Sequence, residues 1–435
     1  MGCASSTPAT APSSGGTPVI DKNGKNERQT TADTEAMAVG PTHTMPAWNE
    51  STSSTSIKAG QLTLRYAAKS QRGRDPDNIN KPNQDCYGTH HGEEFGDGDS
   101  DSSAFLAVYD GHGPHGELCS HFVRTKLPAL LKDNMESKRE QKRFIDKLPA
   151  SESISLSVDD IHSSLLDAHV EVNEELRGSG IDDAHSGTTS VSVYLHDNRI
   201  TVSNVGDSRI VLGTGTPSSS GGGGIQAVPL SRDHTPYRSD ESARCTMMGA
   251  RILSFGQINP APGGDDDDVE DPPRVWAAGG NYPGTAFTRS IGDSVAERLG
   301  VFAEPEMVTL PISKTERVLV LASDGVYDVV SNQDVVDICY KHRDDPDEAC
   351  REVIQKSHKE WLLNDDCGED QANYDDMTCV VIFFDHPGDD AAGDANADGV
   401  SSPPPKSKSH PTERPHRQGK RVRQKTLENL DEMGK

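Results

Sequence analysis

The residues of this chain best suited to chemistry stand at the end of an apolar run, residues 104–113, which reads A-F-L-A-V-Y-D-G-H-G. The run is nearly unbroken rather than alternating, which is typical of a strand covered on both faces. Asp110 would then stand where burial ends, as an oxygen ligand for Mg²⁺ or Mn²⁺. Gly111 allows a tight turn with its carbonyl near an ion, and His112 can transfer protons near neutral pH. Taken alone, D-G-H-G could equally be a turn after a strand.

Other carboxylates stand in the same way at the ends of predicted strands. They are Asp85, Asp207, Asp324 and Asp375. Each taken singly has a simpler explanation as a turn residue. Unpaired carboxylates gathered at one end of a core repel each other, which is costly unless cations hold them. Two divalent ions about 3.5–4 Å apart, bridged by a carboxylate and a hydroxide, resolve that repulsion and suit attack on a phosphate ester. The pattern therefore predicts a two-metal centre.

The elements that must position these carboxylates are strands and amphipathic helices. Apolar alternation or unbroken apolar runs predict further strands over 61–66, 189–195, 199–205, 317–323 and 377–384. Helical spacing of apolar residues predicts helices over 116–132, 157–177, 240–248 and 331–340. Each of the two longer helices has one apolar stripe and one charged face, so each should pack against a sheet.

Composition divides the 435 residues into three parts. Residues 1–57 are rich in Ser, Thr, Pro, Ala and Gly with almost no apolar periodicity, which predicts a disordered leader. Residues 387–435 predict a disordered tail that is first acidic and then basic. Residues 58–386 remain as one predicted catalytic domain, long enough for a large core.

Several classes of protein are disfavoured by charge and cysteine usage. The formal net charge of −26 argues against a nucleic-acid partner, because phosphate contacts need clustered Lys and Arg. The acidic runs at 97–101 and 265–271 lack the spaced ligands of a calcium loop and favour solvated loops. Eight cysteines without a C-x-x-C pair indicate neither a zinc ribbon nor a disulfide framework, and fit a reducing compartment. The sequence contains no run of 18 apolar residues, so it predicts no membrane span.

The amino terminus carries a separate signal. Gly2, with Ser6 four residues later, fits the N-myristoylation pattern, and Cys3 is placed for palmitoylation. One myristoyl chain gives only marginal binding, so a second acyl group would make attachment stable. We therefore expect the protein at the cytoplasmic face of a membrane by dual acylation and otherwise in the cytoplasm, although the match could be chance. The basic tail at 406–425 could reinforce attachment on anionic lipid or equally act as a nuclear-localisation patch.

Seven motifs occur in a fixed order over residues 60–386. They are D-G-H-G, S-G-T-T, V-G-D-S-R, S-R-D-H-T-P, T-R-S-I-G-D, A-S-D-G-V-Y-D and D-D-M-T. The ordered set resembles the metal-dependent type 2C serine/threonine protein phosphatases. The resemblance implies an α+β fold, a four-layer α-β-β-α sandwich with two antiparallel sheets flanked by helices. It also implies two Mg²⁺ or Mn²⁺ ions, with a weaker third ion in some members, and hydrolysis of phosphoserine and phosphothreonine without a covalent intermediate.

The resemblance also implies a role for each matching residue. Asp110 corresponds to the ligand that bridges the two ions, and Gly111 to the residue that gives its carbonyl to one of them. Asp324 and Asp375 correspond to ligands of the other ion, and Asp85 to the carboxylate that holds a metal-bound water. Three residues match the third-metal positions, namely Asp207, Asp324 and Asp328. His112 corresponds to the proposed general acid for the leaving serine or threonine oxygen.

Three features depart from the family pattern. Gln84 stands where many members have Glu, so the second ion would be held through water and Asp85. The candidates for the phosphate-binding cation are Arg72, Arg74 and Lys81, of which we favour Lys81. Asp375-Asp376 replaces the common Asp-Asn, which leaves two candidate ligands, with Asp375 the better match.

The sequence thus predicts a monomeric enzyme that acts on phosphorylated proteins. The alternative is a catalytically silent scaffold of the same fold that binds phosphoproteins; loss of metal carboxylates would signal it, and none is clearly lost. A third possibility is hydrolysis of a small phosphorylated metabolite. The irregular acidic loop at 254–275 favours basic protein segments over such a metabolite.

Overall fold

Two stacked antiparallel sheets with helices on both outer faces form the centre of the protein. The computed structural model describes residues 49–59, 62–91, 103–149, 152, 154–215, 224–259, 271–364 and 372–387. The predicted α+β class and the order of layers, α-β-β-α, are confirmed within these ranges. Gly2 and Cys3, most of the predicted leader and nearly all of the predicted tail lie outside them.

The first sheet has six strands in the order β1-β2-β16-β15-β8-β9, and every neighbouring pair is antiparallel. Its strands are β1 (Glu50–Ala59), β2 (Leu62–Gln71), β8 (Arg209–Thr214), β9 (Gln226–Pro229), β15 (Glu316–Ala322) and β16 (Met377–Asp385). The predicted strands at 61–66, 317–323 and 377–384 are therefore confirmed as β2, β15 and β16. Strands β15 and β16 lie at the centre of the sheet, and nearly all of their residues are buried.

The second sheet has the order β13-β5-β4-β6-β7-β14, with β3 also paired to β4. Its strands are β3 (Asp85–His91), β4 (Ala104–His112), β5 (Gly187–Thr188), β6 (Ser190–His196), β7 (Arg199–Val205), β13 (Ile291–Gly292) and β14 (Glu306–Pro311). The predicted hairpin is β6–β7, and its two-residue turn places Asp197 and Asn198 at positive φ, as a tight hairpin turn requires.

Helices cover both outer faces of the paired sheets. The long ones are α1 (Gly116–Asp146), α2 (Val158–Gly178), α7 (Asn332–Lys341) and α8 (Pro346–Asn364). The short ones are α3 (Ser239–Met247), α4 (Phe255–Ile258), α5 (Ser294–Glu297) and α6 (Asp324–Tyr327). Helices α1 and α2 pack on the second sheet, and α7 and α8 pack on the first. A small third sheet contains β10 (Ala250–Leu253), β11 (Arg274–Ala277) and β12 (Pro283–Thr285).

Strand β4 shows why the apolar run at its centre does not alternate. Leu106 and Val108 face the core between the two sheets, in the same apolar cluster as Leu321 and Ile382. Phe105 and its alternate neighbours face the other way, into the layer of α1 and α2. Both faces of the strand are therefore buried, and its polar end, Asp110 to His112, is left at the rim.

One predicted boundary is wrong. Residues 50–57 belong to β1 of the first sheet and not to a disordered leader. The strand is at the sheet edge, where one face is exposed and the other is half-buried, so its Ser and Thr residues need no apolar alternation. Thr52 bonds the Tyr87 hydroxyl at 3.0 Å, and Glu50 pairs with Arg124 at 2.6 Å. In the part of the chain that the structure describes, no helix is long and apolar enough to cross a membrane.

Candidate metal centre

Strands β3 and β4 bring the first two carboxylates together. Asp85 and Asp110 are directly opposite each other in the antiparallel ladder. The end of β4 is fixed by the S-G-T-T motif, because the Thr189 hydroxyl accepts from the Asp110 N–H at 3.1 Å. The Thr188 hydroxyl donates to the Asp110 carbonyl, also at 3.1 Å. These two threonines hold the backbone of Asp110 from the adjacent strand.

The first sheet supplies the carboxylates on the other side. Strand β15 ends just before Ser323, helix α6 begins at Asp324, and Asp375 stands two residues before the start of β16. The Ser323 hydroxyl donates to Oδ2 of Asp85 at 2.7 Å and accepts from the Thr378 N–H at 3.0 Å. One hydroxyl therefore ties together the end of β15, the start of β16 and the start of β3.

The charges of several of these carboxylates act on Asp110 and Asp207. Burial, and then the charges of Asp85, Asp324, Asp375 and Asp207, raise the pKa of Asp110 well above its ordinary value. Burial and the charge of Asp324 raise the pKa of Asp207 to about 7. Carboxylates that raise each other's pKa in this way repel, and the repulsion is relieved when a cation binds between them.

The donor set fits a hard divalent cation. Oδ1 of Asp85 is buried and has no hydrogen-bond partner among the residues described. An orphaned buried carboxylate oxygen is costly unless a ligand or water satisfies it. The surrounding donors are all oxygen, as Mg²⁺ and Mn²⁺ prefer. The cluster therefore has both the charge and the open ligand positions that such an ion requires.

Gly111 occupies a position where no side chain fits. A Cβ atom there would lie 2.2 Å from the Gly116 carbonyl oxygen and 2.7 Å from that of Gln84. The Gly111 N–H donates to the Gln84 carbonyl at 3.1 Å, and the Gln84 side-chain amide donates to the Gly113 carbonyl at 2.7 Å. Gln84 is thus used to fix the turn that carries Gly111 and His112.

Asp375 and Asp376 have different surroundings. The Asp376 carboxylate is buried and accepts the backbone N–H groups of Gly73 at 2.6 Å and Gln84 at 2.9 Å. Asp375 is one of the groups whose charge acts on Asp110. Asp376 therefore holds the loop before β3, and Asp375 stays the predicted ligand of the pair.

Lys81 lies beside this acidic cluster. Its Nζ is 3.8 Å from Oδ2 of Asp376. Burial alone would lower the pKa of Lys81, but the charges of Asp375 and Asp376 raise it above its ordinary value. Of the other two candidates, the Arg72 guanidinium donates to the Lys81 carbonyl at 3.5 Å, and the backbone N–H of Arg74 donates to the Tyr374 carbonyl at 2.8 Å. The structure places Lys81 as a cation close to the carboxylates.

Asp207, whose charge acts on Asp110, and Asp328 come from two further motifs. Gly206 has φ of +100°, which glycine adopts readily, and its N–H donates to Nδ1 of His234 at 3.1 Å. The S-R-D-H-T-P motif therefore positions the loop that carries Asp207. Asp328 stands one helical turn after Asp324, and its N–H donates to the Asp324 carbonyl at 2.8 Å.

His112 has a buried partner that the motifs alone did not identify. Its Nε2 lies 2.5 Å from Oδ2 of Asp293, and its ring centroid lies 4.2 Å from that of Phe287. Burial alone would lower the pKa of His112, whereas Asp293 raises it above its ordinary value. Asp293 ends the T-R-S-I-G-D motif, 181 residues away, and no spacing rule connects it with His112.

A second group, formed by one histidine and two glutamates, is not a cation site. Atoms of His234, Glu241 and Glu306 lie within 4.8 Å of one another. Glu241, however, is bonded by Arg244 and Arg289, and Glu306 by Arg238, all as ion pairs. Since guanidinium groups already neutralise these carboxylates, the group is a buried ion-pair network that fixes α3 against β14.

Comparison with known proteins shows which family shares this arrangement. The model of the family described as protein phosphatase 2C matches residues 74–360. The chain is 35% identical over 333 residues to the Arabidopsis thaliana protein named probable protein phosphatase 2C 35, covering 75% of this chain and 85% of that protein. It is 30% identical to the Oryza sativa protein named probable protein phosphatase 2C 48, covering 70% and 81%.

Solved structures agree in fold. A serine-threonine phosphatase 2C from Toxoplasma gondii superposes with a TM-score of 0.58 at 18% identity, covering 77% of this chain and 99% of that one. A Caenorhabditis elegans sex determining protein gives 0.52 at 20% identity, covering 76% and 66%. The family uses magnesium or manganese, in accordance with the all-oxygen cluster. The chain therefore belongs to the protein phosphatase 2C family, the metal-dependent serine/threonine protein phosphatases.

Proposed function

We propose that this protein hydrolyses phosphoserine and phosphothreonine at a binuclear centre. Asp110, the Gly111 carbonyl, Asp324 and Asp375 would hold two Mg²⁺ or Mn²⁺ ions, which supply a hydroxide nucleophile and neutralise the phosphate charge. The observation that carries the proposal is the pairing of Asp85 with Asp110 across two adjacent strands, with Oδ1 of Asp85 buried and without a hydrogen-bond partner among the described residues. Asp207 and Asp328, together with Asp324, would hold a third ion.

The remaining residues act around the phosphate. Asp85, fixed by Ser323, would orient the attacking water through its unpartnered Oδ1. Lys81 would pair with a phosphate oxygen as the substrate enters. His112 would donate a proton to the leaving serine or threonine oxygen, because an alkoxide is a poor leaving group without one. The products are the free hydroxyl side chain and inorganic phosphate.

The experiment that tests this proposal is release of phosphate from a phosphothreonine peptide. Wild type should be active with Mn²⁺ or Mg²⁺ and inactive with EDTA. Asp324→Asn should lower kcat/KM by at least about a hundredfold, since a lost ligand removes charge stabilisation in the transition state. The control is Asp334→Asn in α7, whose carboxylate is exposed and bonds only Ser331 among the contacts seen here.

The alternative of a silent phosphoprotein-binding scaffold makes the opposite prediction. Folded wild type that binds a phosphopeptide but releases no phosphate with either metal would favour it. The retained set of carboxylates supports the enzyme.

We also propose that the protein is monomeric and is attached to the cytoplasmic face of a membrane through acyl groups on Gly2 and Cys3. The support for the acyl groups is the sequence pattern alone, since Gly2 and Cys3 both lie outside the described ranges. Attachment of this kind would restrict the enzyme to phosphoproteins near that membrane.

A further inference from the structure

His112 and Asp293 meet across three adjacent strands. In the ladder, His112 of β4 is paired with Gly187 of β5, and Gly187 is paired with Gly292 of β13. Asp293 follows Gly292 directly, and its carboxylate reaches back over Gly187 to the imidazole. A Cβ atom at position 187 would lie 2.3 Å from Oδ2 of Asp293, so only glycine leaves room for this contact.

The backbone conformation of Asp293 directs its side chain to His112, and the side chain does not cap its own helix. Asp293 has φ of 49° and ψ of 48°, a left-handed conformation that residues other than glycine rarely adopt. It is the N-cap of α5, a position where Asp commonly accepts a backbone N–H, yet its side chain makes no such bond. Its N–H donates to the Ser186 carbonyl at 2.9 Å, and the Gly292 N–H donates to the Asn173 side chain at 2.8 Å.

The carboxylate is itself held in place. The Ser290 hydroxyl donates to the same Oδ2 at 2.7 Å. The Asp293 side chain is 3% exposed, whereas that of His112 is 24% exposed, so the acid lies behind the ring and the ring faces the site. Phe287 packs against the imidazole at 4.2 Å between centroids. The Ser290 hydroxyl also lies 3.4 Å from Nε2 of His112. Ser290 and Asp293 belong to the T-R-S-I-G-D segment, and Phe287 directly precedes it.

We propose that Asp293 is a positioning residue, whose carboxylate fixes the His112 ring in the orientation that delivers a proton to the leaving oxygen. The inference rests on the proposed function. With the Nε2–H held by Asp293, Nδ1 is the nitrogen that carries the transferred proton. The attacking water loses one proton to solvent and reacts as hydroxide. As the bond between phosphorus and the serine or threonine oxygen breaks and the hydroxide oxygen bonds to phosphorus, the Nδ1 proton passes to the leaving oxygen. The imidazole then regains a proton from solvent.

Two substrates separate positioning from a merely structural role. A phosphothreonine peptide needs a proton on its leaving oxygen, whereas p-nitrophenyl phosphate releases a stable phenolate and needs none. In the full-length protein with Mn²⁺, Asp293→Asn should lower kcat on the peptide by about ten- to a hundredfold. Its kcat on p-nitrophenyl phosphate should change by less than about threefold. His112→Asn should show the same selective loss, and the double variant should lose no more than His112→Asn alone.

The matched control is Asp183→Asn. Asp183 is buried and accepts a hydrogen bond at 3.0 Å from the hydroxyl of Ser294, the residue that follows Asp293. Asp183 has no contact with His112 among those of the described residues. It should retain both activities. If Asp293→Asn unfolds, Ser290→Ala serves as the second variant, because it removes the hydroxyl that holds the carboxylate at 2.7 Å and lies farther, at 3.4 Å, from Nε2 of His112. It should show a smaller loss that is again confined to the peptide.

The outcomes distinguish this inference from the proposed function. Equal losses on both substrates, or an unchanged rate on the peptide, would overturn the positioning role while leaving the phosphatase intact. A wild-type protein that hydrolyses neither substrate with either metal would overturn the proposed function, and the positioning role with it. Additive losses in the double variant would show that Asp293 acts independently of His112 and would also overturn the inference.

Discussion

Asp375 and Asp376 are adjacent in sequence, but their carboxylates serve different purposes in the structure. Asp376 accepts two backbone N–H groups in a buried position, and Asp375 acts electrostatically on Asp110. We expect Asp375→Asn to raise the Mn²⁺ concentration for half-maximal activity by at least about tenfold. We expect Asp376→Asn to lower the free energy of unfolding by about 1–3 kcal/mol, since one buried N–H loses its acceptor. Metal titrations and urea denaturation of both variants measure these effects.

The two variants control each other, because they remove the same charge from neighbouring positions. A larger shift in metal requirement for Asp376→Asn than for Asp375→Asn would contradict the assignment.

Single site residues could be predicted where each stands at the end of an apolar run. Asp110 and Asp324 end apolar runs, so the end of burial marks them in the sequence. The pair of His112 and Asp293 could not be predicted, because the contact depends on three strands lying side by side and on the absence of a side chain at Gly187. Local pattern carries no information about such a juxtaposition.

At the scale of elements, the start of α2 offers a test of a capping interaction. Ser157 and Asp160 form a reciprocal capping box, and Lys142 of α1 pairs with Asp160. Burial alone would raise the pKa of Asp160, but the bonds from Lys142 and Ser157 lower it to about 2 from an ordinary 3.8. This difference corresponds to at most about 2 kcal/mol of stability at pH 7.

The lowered pKa gives the sign of the pH dependence. A carboxyl whose pKa falls on folding stabilises fully above its unfolded pKa, and this contribution is lost as the pH falls from about 4 towards 2. Asp160→Asn should therefore lower the free energy of unfolding by about 1–2 kcal/mol at pH 7 and by less at pH 3. Urea denaturation at both pH values measures this. Asp159→Asn, an exposed neighbour in the same helical turn, should have little effect, and a loss equal to that of Asp160→Asn would implicate the helix dipole instead.

Elements with a long apolar signal were predicted, and those with a weak one were not. Helix α8 went unpredicted because its buried face mixes Val353 and Ile354 with small residues, namely Ala349, Cys350 and Ser357. The ion pair between Lys69 and Asp347 at 2.7 Å adds a polar contact to this packing. Strand β1 was missed because an edge strand with one half-buried face can be built from Ser and Thr. In both cases tertiary contacts decide the structure.

At the scale of the whole molecule, charge bears on membrane attachment. A net charge of −26 disfavours approach to anionic lipid, so attachment must come from acyl groups or from the basic stretch at 406–425. These two contributions differ in salt dependence, because Debye screening weakens the electrostatic one and leaves the acyl one intact. Sedimentation of membranes at about 0.15 M and about 1 M salt separates them.

We expect Gly2→Ala to remove both incorporation of an alkynyl myristate analogue and membrane sedimentation at either salt concentration, because no acyl chain would then be attached. Cys3→Ser should retain the label but sediment weakly, since one myristoyl chain gives an association constant of only about 10⁴ M⁻¹. Ser5→Ala, outside the pattern positions, is the matched control and should behave as wild type. All three variants should keep full activity on a soluble phosphopeptide, because the described strands and helices begin only at residue 50. Sedimentation of Gly2→Ala that persists at low salt and disappears at high salt would assign attachment to the basic tail and refute dual acylation.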